Sequence, residues 1–211
     1  MLTLIFCDMI SKVNRDIRIG FLGESFVNGT GDRTHLGWTG RVCQTLSQQG
    51  YQVTHYNLGI RRETSTELLQ RWQAECDRRF PVGCDNRLVF CFGVNDTTLD
   101  GGKPRVELPQ SMDNTRQILS RAKEKYSVFM ISPAAIPDTE QNDRIRQFTE
   151  QLSLLCDELT IPFLDVFMPL SRSPVWLQEA AAHDGYHPDA AGYTEFARLV
   201  QTSAGWHHWF N

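Results

Sequence analysis

Short apolar, β-rich runs alternate along this chain with longer stretches of helical periodicity. Ile17-Arg18-Ile19-Gly20-Phe21-Leu22 reads as a first strand ending at Gly23. Residues 38–49 suit a helix stopped by Gly50, 52–58 (QVTHYNL) a second strand, and 65–80 a helix closed by Pro81. The third strand, 87–92, is apolar almost throughout, as expected when both faces of a parallel sheet are covered. Residues 108–125 are helical and 127–132 (SVFMIS) form a fourth strand. A helix over 140–159, a fifth strand over 162–166 and a helix over 190–202 complete the pattern. The segment 97–109, with Gly101-Gly102 and Pro104, is the longest predicted loop, and 168–188 is the next.

Repeated strand–helix units imply right-handed crossovers and an α/β fold: a doubly wound, three-layer α/β/α sandwich on a five-stranded, mainly parallel sheet. The reading has two parts, an N-terminal leader over 1–16 and one domain over 17–211. A chain of 211 residues is long enough to bury a sizeable core in one domain. With 41% hydrophobic and 22% charged residues it is globular, and no stretch approaches a membrane span. A formal net charge of -4 gives no electrostatic case for nucleic acid. The apolar start has Asp8 within it, and Lys12 and Arg15 follow it where a secretory signal would need them in front. A cytoplasmic location is therefore expected. The six cysteines form no CxxC pair, which fits reduced thiols and excludes common zinc spacings.

Candidate chemistry sits at four small groups: Gly23-Glu24-Ser25, Asn57-Leu58-Gly59, Gly93-Val94-Asn95-Asp96 and Asp184-Gly185-Tyr186-His187-Pro188. All fall at carboxyl ends of predicted strands or in the loop before the last helix, where doubly wound folds bind ligands. Ser25 follows the first strand directly, in a turn that lifts its hydroxyl from the sheet edge. Asp184 and His187 are three residues apart, a spacing that sets both side chains on one side of a turn. The carboxylate then holds one imidazole nitrogen and leaves the other to take a serine proton. Gly59 (backbone N–H) and Asn95 (side-chain amide), with the Ser25 N–H, are candidate donors to an oxyanion. Asn57 and Asp96 read as turn-fixing residues, and His183 is expected to point away from Asp184. A phosphate-binding loop through Gly20, Gly23, Gly29 and Gly31 fails on spacing and on the acid Glu24.

In this order the groups resemble the SGNH hydrolases, or GDSL esterase/lipase family, from Ile17 to about Tyr193. The resemblance implies a serine esterase or lipase with Ser25, Asp184 and His187 as triad and Ser25, Gly59 and Asn95 as oxyanion hole. It implies no cofactor and no metal, an open site, and small ester or thioester substrates. Glu24 departs from the Asp usual there. An acyltransferase shares every one of these residues, and an idle ligand-binding domain is the non-enzymatic alternative. Phe26, Trp38, Tyr186 and Trp176 are candidate acyl-pocket aromatics, and Arg61-Arg62 either favour an anionic substrate or form a solvated basic turn.

Overall fold

The computed structural model describes residues 16–210, so the expected leader lies outside the described residues except for Asp16. In chain order the elements are β1 (Ile17–Gly23), α1 (Ser25–Asn28), α2 (Gly37–Gln48), β2 (Val53–Gly59), α3 (Ser65–Asp77), β3 (Asp85–Cys91) and α4 (Val94–Thr97). Next come a hairpin of β4 (Leu99–Asp100) and β5 (Lys103–Pro104), then α5 (Leu108–Lys123), β6 (Ser127–Ile131), α6 (Thr139–Leu159) and β7 (Phe163–Leu164). The chain continues through α7 (Phe167–Leu170), α8 (Pro174–Ala182), α9 (Ala190–Gln201) and α10 (Ala204–Phe210).

The five long-range strands form one parallel sheet in the order β2-β1-β3-β6-β7. Alternate residues of each strand feed opposite faces, so the sheet has a core on each side. One gathers Phe21, Val89, Phe129, Trp38 and Phe196 with α2, α9 and α10. The other gathers Leu22, Phe90, Met130, Trp72 and Phe148 with α3, α5 and α6. This is the expected three-layer sandwich.

Two differences from the pattern reading have local causes. The fifth strand shrinks to two residues because only Phe163 and Leu164 pair, with Met130 and Ile131. Both expected loops contain structure. Gly101 and Gly102, each at positive φ, turn the β4–β5 hairpin. Within 168–188, Ser173 accepts a bond from the Trp176 N–H (3.2 Å) and starts α8, whose first residue is Pro174.

The topology brings the strand ends together. Gly23 lies level with Gly59 on one side and Cys91 on the other. A Cβ on Gly23 would stand 1.9 Å from the Cys91 carbonyl oxygen, so only glycine allows this approach. Sheet order reverses between β1 and β3, which opens a crevice at their carboxyl ends. Among the described residues no helix is long and apolar enough to cross a membrane, and no three His, Cys, Asp or Glu gather as a metal site.

At the amino edge of the sheet Arg87 is buried. It pairs with Asp85 at 2.9 Å, donates to the carbonyls of Trp209 and Phe210 at 2.9 Å each, and lies over both rings. The aromatic tail thus packs on the body of the protein, with His207 and His208 exposed.

Candidate active site

Ser25 opens α1 directly beyond β1 and is buried. As the first helical residue its N–H has no intrahelical acceptor, which leaves a donor beside its own hydroxyl. Its Oγ lies 2.7 Å from His187 Nε2, and His187 Nδ1 lies 2.7 Å from Asp184 Oδ2. A carboxylate only accepts, so the imidazole proton sits on Nδ1 and Nε2 faces the hydroxyl as an acceptor. Asp184 Oδ1 accepts the backbone N–H groups of Tyr186 (3.0 Å) and His187 (2.8 Å), so the carboxylate also shapes the turn that presents the imidazole. Gly185, at φ 82°, completes that turn.

Burial, the largest influence on His187, pushes its pKa below the ordinary value against the opposing pull of Asp184, and Arg61 and His183 add to the lowering. Asp184 is affected in the opposite sense. Burial would raise its pKa, but bonds from the His187 backbone, its ring and the Tyr186 backbone hold it well below the usual carboxylate range. The pair therefore rests as neutral imidazole beside carboxylate. His183 does not point away as expected: its Nδ1 stands 3.5 Å from Asp184 Oδ1. The turn tightened by Gly185 brings the preceding residue back over the same carboxylate.

Glu24, the residue before Ser25, is buried. It accepts the backbone N–H groups of Val94 and Asn95 at 3.0 Å each, and the Asn95 side-chain amide. The longer side chain thus reaches across from β1 to clamp the turn after β3. Burial pushes its pKa up to about 8, against these three donors, which favour the charged form. Asp96, also buried, accepts the Ser65 N–H at 2.7 Å and anchors the start of α3, in keeping with a turn-fixing role.

Two further residues are candidate oxyanion donors. Asn95 lines the same cavity as Ser25 and His187, but its amide already donates to Glu24 and to the Glu63 carbonyl at 3.1 Å. At Gly59 the N–H likewise has a partner, donating to Asn57 Oδ1 at 3.1 Å. A Cβ there would stand 2.3 Å from the Asn28 nitrogen, so this glycine serves close packing of the strand end under α1.

The cavity wall on that side is made by Arg61 and Arg62, and Arg62 holds the left-handed region at φ 65°. A left-handed arginine is costly and persists only where its surroundings demand it. Beneath it Arg71 binds both oxygens of buried Glu63 and the Leu58 carbonyl (2.7 Å), and Arg105 Nη1 donates to the Arg62 carbonyl at 2.8 Å. The cavity holds about 250 Å³ and is completed by Phe26, Val94, Thr98, Arg105 and Tyr186. Of the four candidate pocket aromatics, Phe26 and Tyr186 reach it. Trp176 stacks behind Phe26 at 5.7 Å and Trp38 stacks on Phe196 at 4.8 Å, both in the core. Pattern reading missed Arg105, because only the β4–β5 hairpin folds it back over the strand ends.

The arrangement sets the Ser25 hydroxyl against an imidazole oriented by a carboxylate, next to the Ser25 N–H and the Asn95 amide. No curated protein matches the chain by sequence. Among solved structures, a catalytic mutant of an acetylxylan esterase from Geobacillus stearothermophilus superposes with TM-score 0.75 at 19% identity, over 89% of this chain and 94% of that one. A G-D-S-L family protein from Desulfitobacterium hafniense DCB-2 gives 0.70 at 22%, over 87% and 97%. The model of the GDSL-like Lipase/Acylhydrolase family matches residues 21–194, from within β1 to α9, and the chain belongs to that family.

Proposed function

We propose that this protein, an ester-hydrolysing serine hydrolase, works through an acyl-enzyme on Ser25 and acts on small carboxylic esters. The observation that carries the reading is the unbroken chain from Ser25 Oγ through His187 to Asp184, with 2.7 Å at each contact. His187 Nε2 removes the Ser25 proton as the oxygen attacks the ester carbonyl, and Asp184 stabilises the imidazolium that forms. The developing oxyanion is held by the Ser25 N–H and by the Asn95 amide, which exchanges a present hydrogen bond for it. His187 then protonates the leaving alcohol, and water repeats the cycle on the acyl-enzyme.

Water rather than another alcohol is favoured as acceptor because the rim is wet: Arg61 and Arg62 are exposed and Tyr186 is 37% exposed. Phe26 and Val94 offer a small apolar wall, which suits a short acyl group such as the acetyl that the Geobacillus esterase's name implies. The test is labelling with a serine-directed phosphonate followed by mass mapping, alongside hydrolysis of graded 4-nitrophenyl esters. Label confined to Ser25, and lost in His187→Ala, is expected. Label on another serine, or none on folded protein, overturns the assignment.

A further inference from the structure

Three arginines, Arg61, Arg62 and Arg105, line the cavity that holds Ser25 and His187. They face one carboxylate there, Asp184, whose oxygens are taken up by His187 and two backbone N–H groups. Other arginines close to the site are neutralised. Arg71 is bound to Glu63, and Arg41 to buried Asp32. Arg61 and Arg62, by contrast, have no ion pair among the described residues and are exposed. The nearest acid to Arg105 is Glu67 at 3.9 Å, and the same Glu67 oxygen already accepts the Thr64 N–H and hydroxyl at 2.8 Å each.

The turn that carries Arg61 and Arg62 is also held in place. Arg62 sits in the left-handed region, its carbonyl is fixed by Arg105, and the turn is fastened from below by the Arg71–Glu63 pair. A solvated basic turn needs none of these fastenings. The whole chain carries a formal net charge of -4, so this concave positive site stands out against an acidic molecule. Clefts lined with one sign of charge concentrate ligands of the other sign. Guanidinium forks match carboxylate and phosphate oxygens in two-point contacts.

We infer that the substrate is an ester carrying a second, anionic group, a carboxylate or phosphate, which Arg61, Arg62 and Arg105 hold while Ser25 attacks the ester carbonyl. This rests on the esterase reading above and narrows its substrate class. The anion contributes binding and orientation to both ground and transition state, so its loss falls chiefly on KM.

The experiment compares charge-matched pairs. Mono-4-nitrophenyl succinate and its methyl ester place the charge on the acyl side, and 4-acetoxybenzoate and its methyl ester place it on the alcohol side. In one of the two pairs the charged member should show kcat/KM about tenfold higher at low salt, with the preference shrinking several-fold at about 1 M NaCl as screening shortens the reach of the charges. Arg61→Ala combined with Arg62→Gly should bring that ratio close to one. Glycine suits the left-handed backbone, so the turn is kept while the charge goes. Arg105→Lys should lower the ratio in part, and Lys125→Ala, at the far edge of the sheet, removes a positive charge away from the site and should leave it unchanged.

A second arm needs no turnover. Succinate and inorganic phosphate are titrated calorimetrically into Ser25→Ala protein, and binding should weaken about tenfold in the double arginine variant. Ratios at or below one in both pairs, or ratios indifferent to the arginine substitutions, overturn the inference even when neutral esters are hydrolysed. Absence of any ester turnover overturns the esterase reading instead, and the calorimetric arm then decides the anion site alone.

Discussion

Arginine is used in opposite ways at the two ends of the sheet. At the amino edge Arg87 is 4% exposed, and its guanidinium meets Asp85, two carbonyls and two aromatic rings. At the carboxyl edge Arg61 and Arg62 stand exposed, without an ion pair among the described residues, beside a buried serine and histidine. A buried charge must be satisfied within the fold or it destabilises the protein by several kcal/mol. Exposed charges cost little and stay available. One end of the molecule consumes its polar groups in stability, and the other leaves them for a ligand. Substitutions should therefore separate stability from activity according to the edge they touch.

The largest effect falls on the carboxyl edge. His187→Ala should lower kcat by about 10⁴-fold or more, because the proton has no acceptor. Its denaturation midpoint should stay near that of the unaltered protein, as steady-state kinetics and a denaturant titration on the same preparation would reveal. Asn95→Ala comes next, with kcat down about 10²–10³-fold and KM little changed, since the amide acts on the developing oxyanion. A raised KM at constant kcat would make Asn95 a substrate-binding or structural residue.

The amino edge should answer in the other currency. Arg87→Ala should destabilise by about 3 kcal/mol, through loss of the pair, the carbonyl bonds and the ring contacts. Denaturant unfolding reads the loss, and kcat/KM of the folded protein should stay within about twofold. If activity fell as far as stability, the contrast between the edges would collapse.

Glu24 sharpens the comparison because it is a structural acid next to Ser25 in the chain. Its folded pKa, raised by burial to about 8, lies above the ordinary 4.5, so the folded protein binds this proton more tightly than the unfolded chain. Its contribution to stability is complete below about pH 4.5 and is lost as the pH rises through about 8. Glu24→Gln should flatten that part of the stability–pH curve, and a slope equal to that of the unaltered protein would show that Glu24 is already ionised.

The smallest expected effect is on the pH profile. The base must be neutral, so kcat/KM should rise with pH through a limb below the ordinary 6.5 of histidine, because burial first and Arg61 further down lower its pKa. Arg61→Ala removes one positive neighbour and should move the limb upward by about a few tenths of a pH unit. A limb that stays put or falls would place the Arg61 charge too far from His187 to matter.

Much of this molecule is written locally. The strand and helix periods, the apolar third strand and the stop at Gly50 depend on side chains acting on their own backbone and on their packing face, so they can be read in order along the chain, although the helix expected to run to Pro81 ends at Asp77. The motif around Asp184 and His187 is equally local, since its acid, its turn glycine and its histidine lie within four residues. Even α8 carried a visible start in Ser173-Pro174, lost in a segment read as loop.

What only the tertiary structure decided is which donors remain free and which charges meet. Gly59 has the N–H expected of it, but the Asn57 side-chain oxygen accepts a hydrogen bond from it as the strand end packs under α1. Asn95 keeps its place on the cavity wall, yet its partners come from the residue just after β1 and from the turn after β2. Arg105, 43 residues beyond Arg62, reaches its carbonyl only because the hairpin folds back. Hydrogen-bond capacity and electric field belong to neighbours in space. A sequence names the groups that can donate or carry charge, and the packing of distant segments determines which of them are already spent.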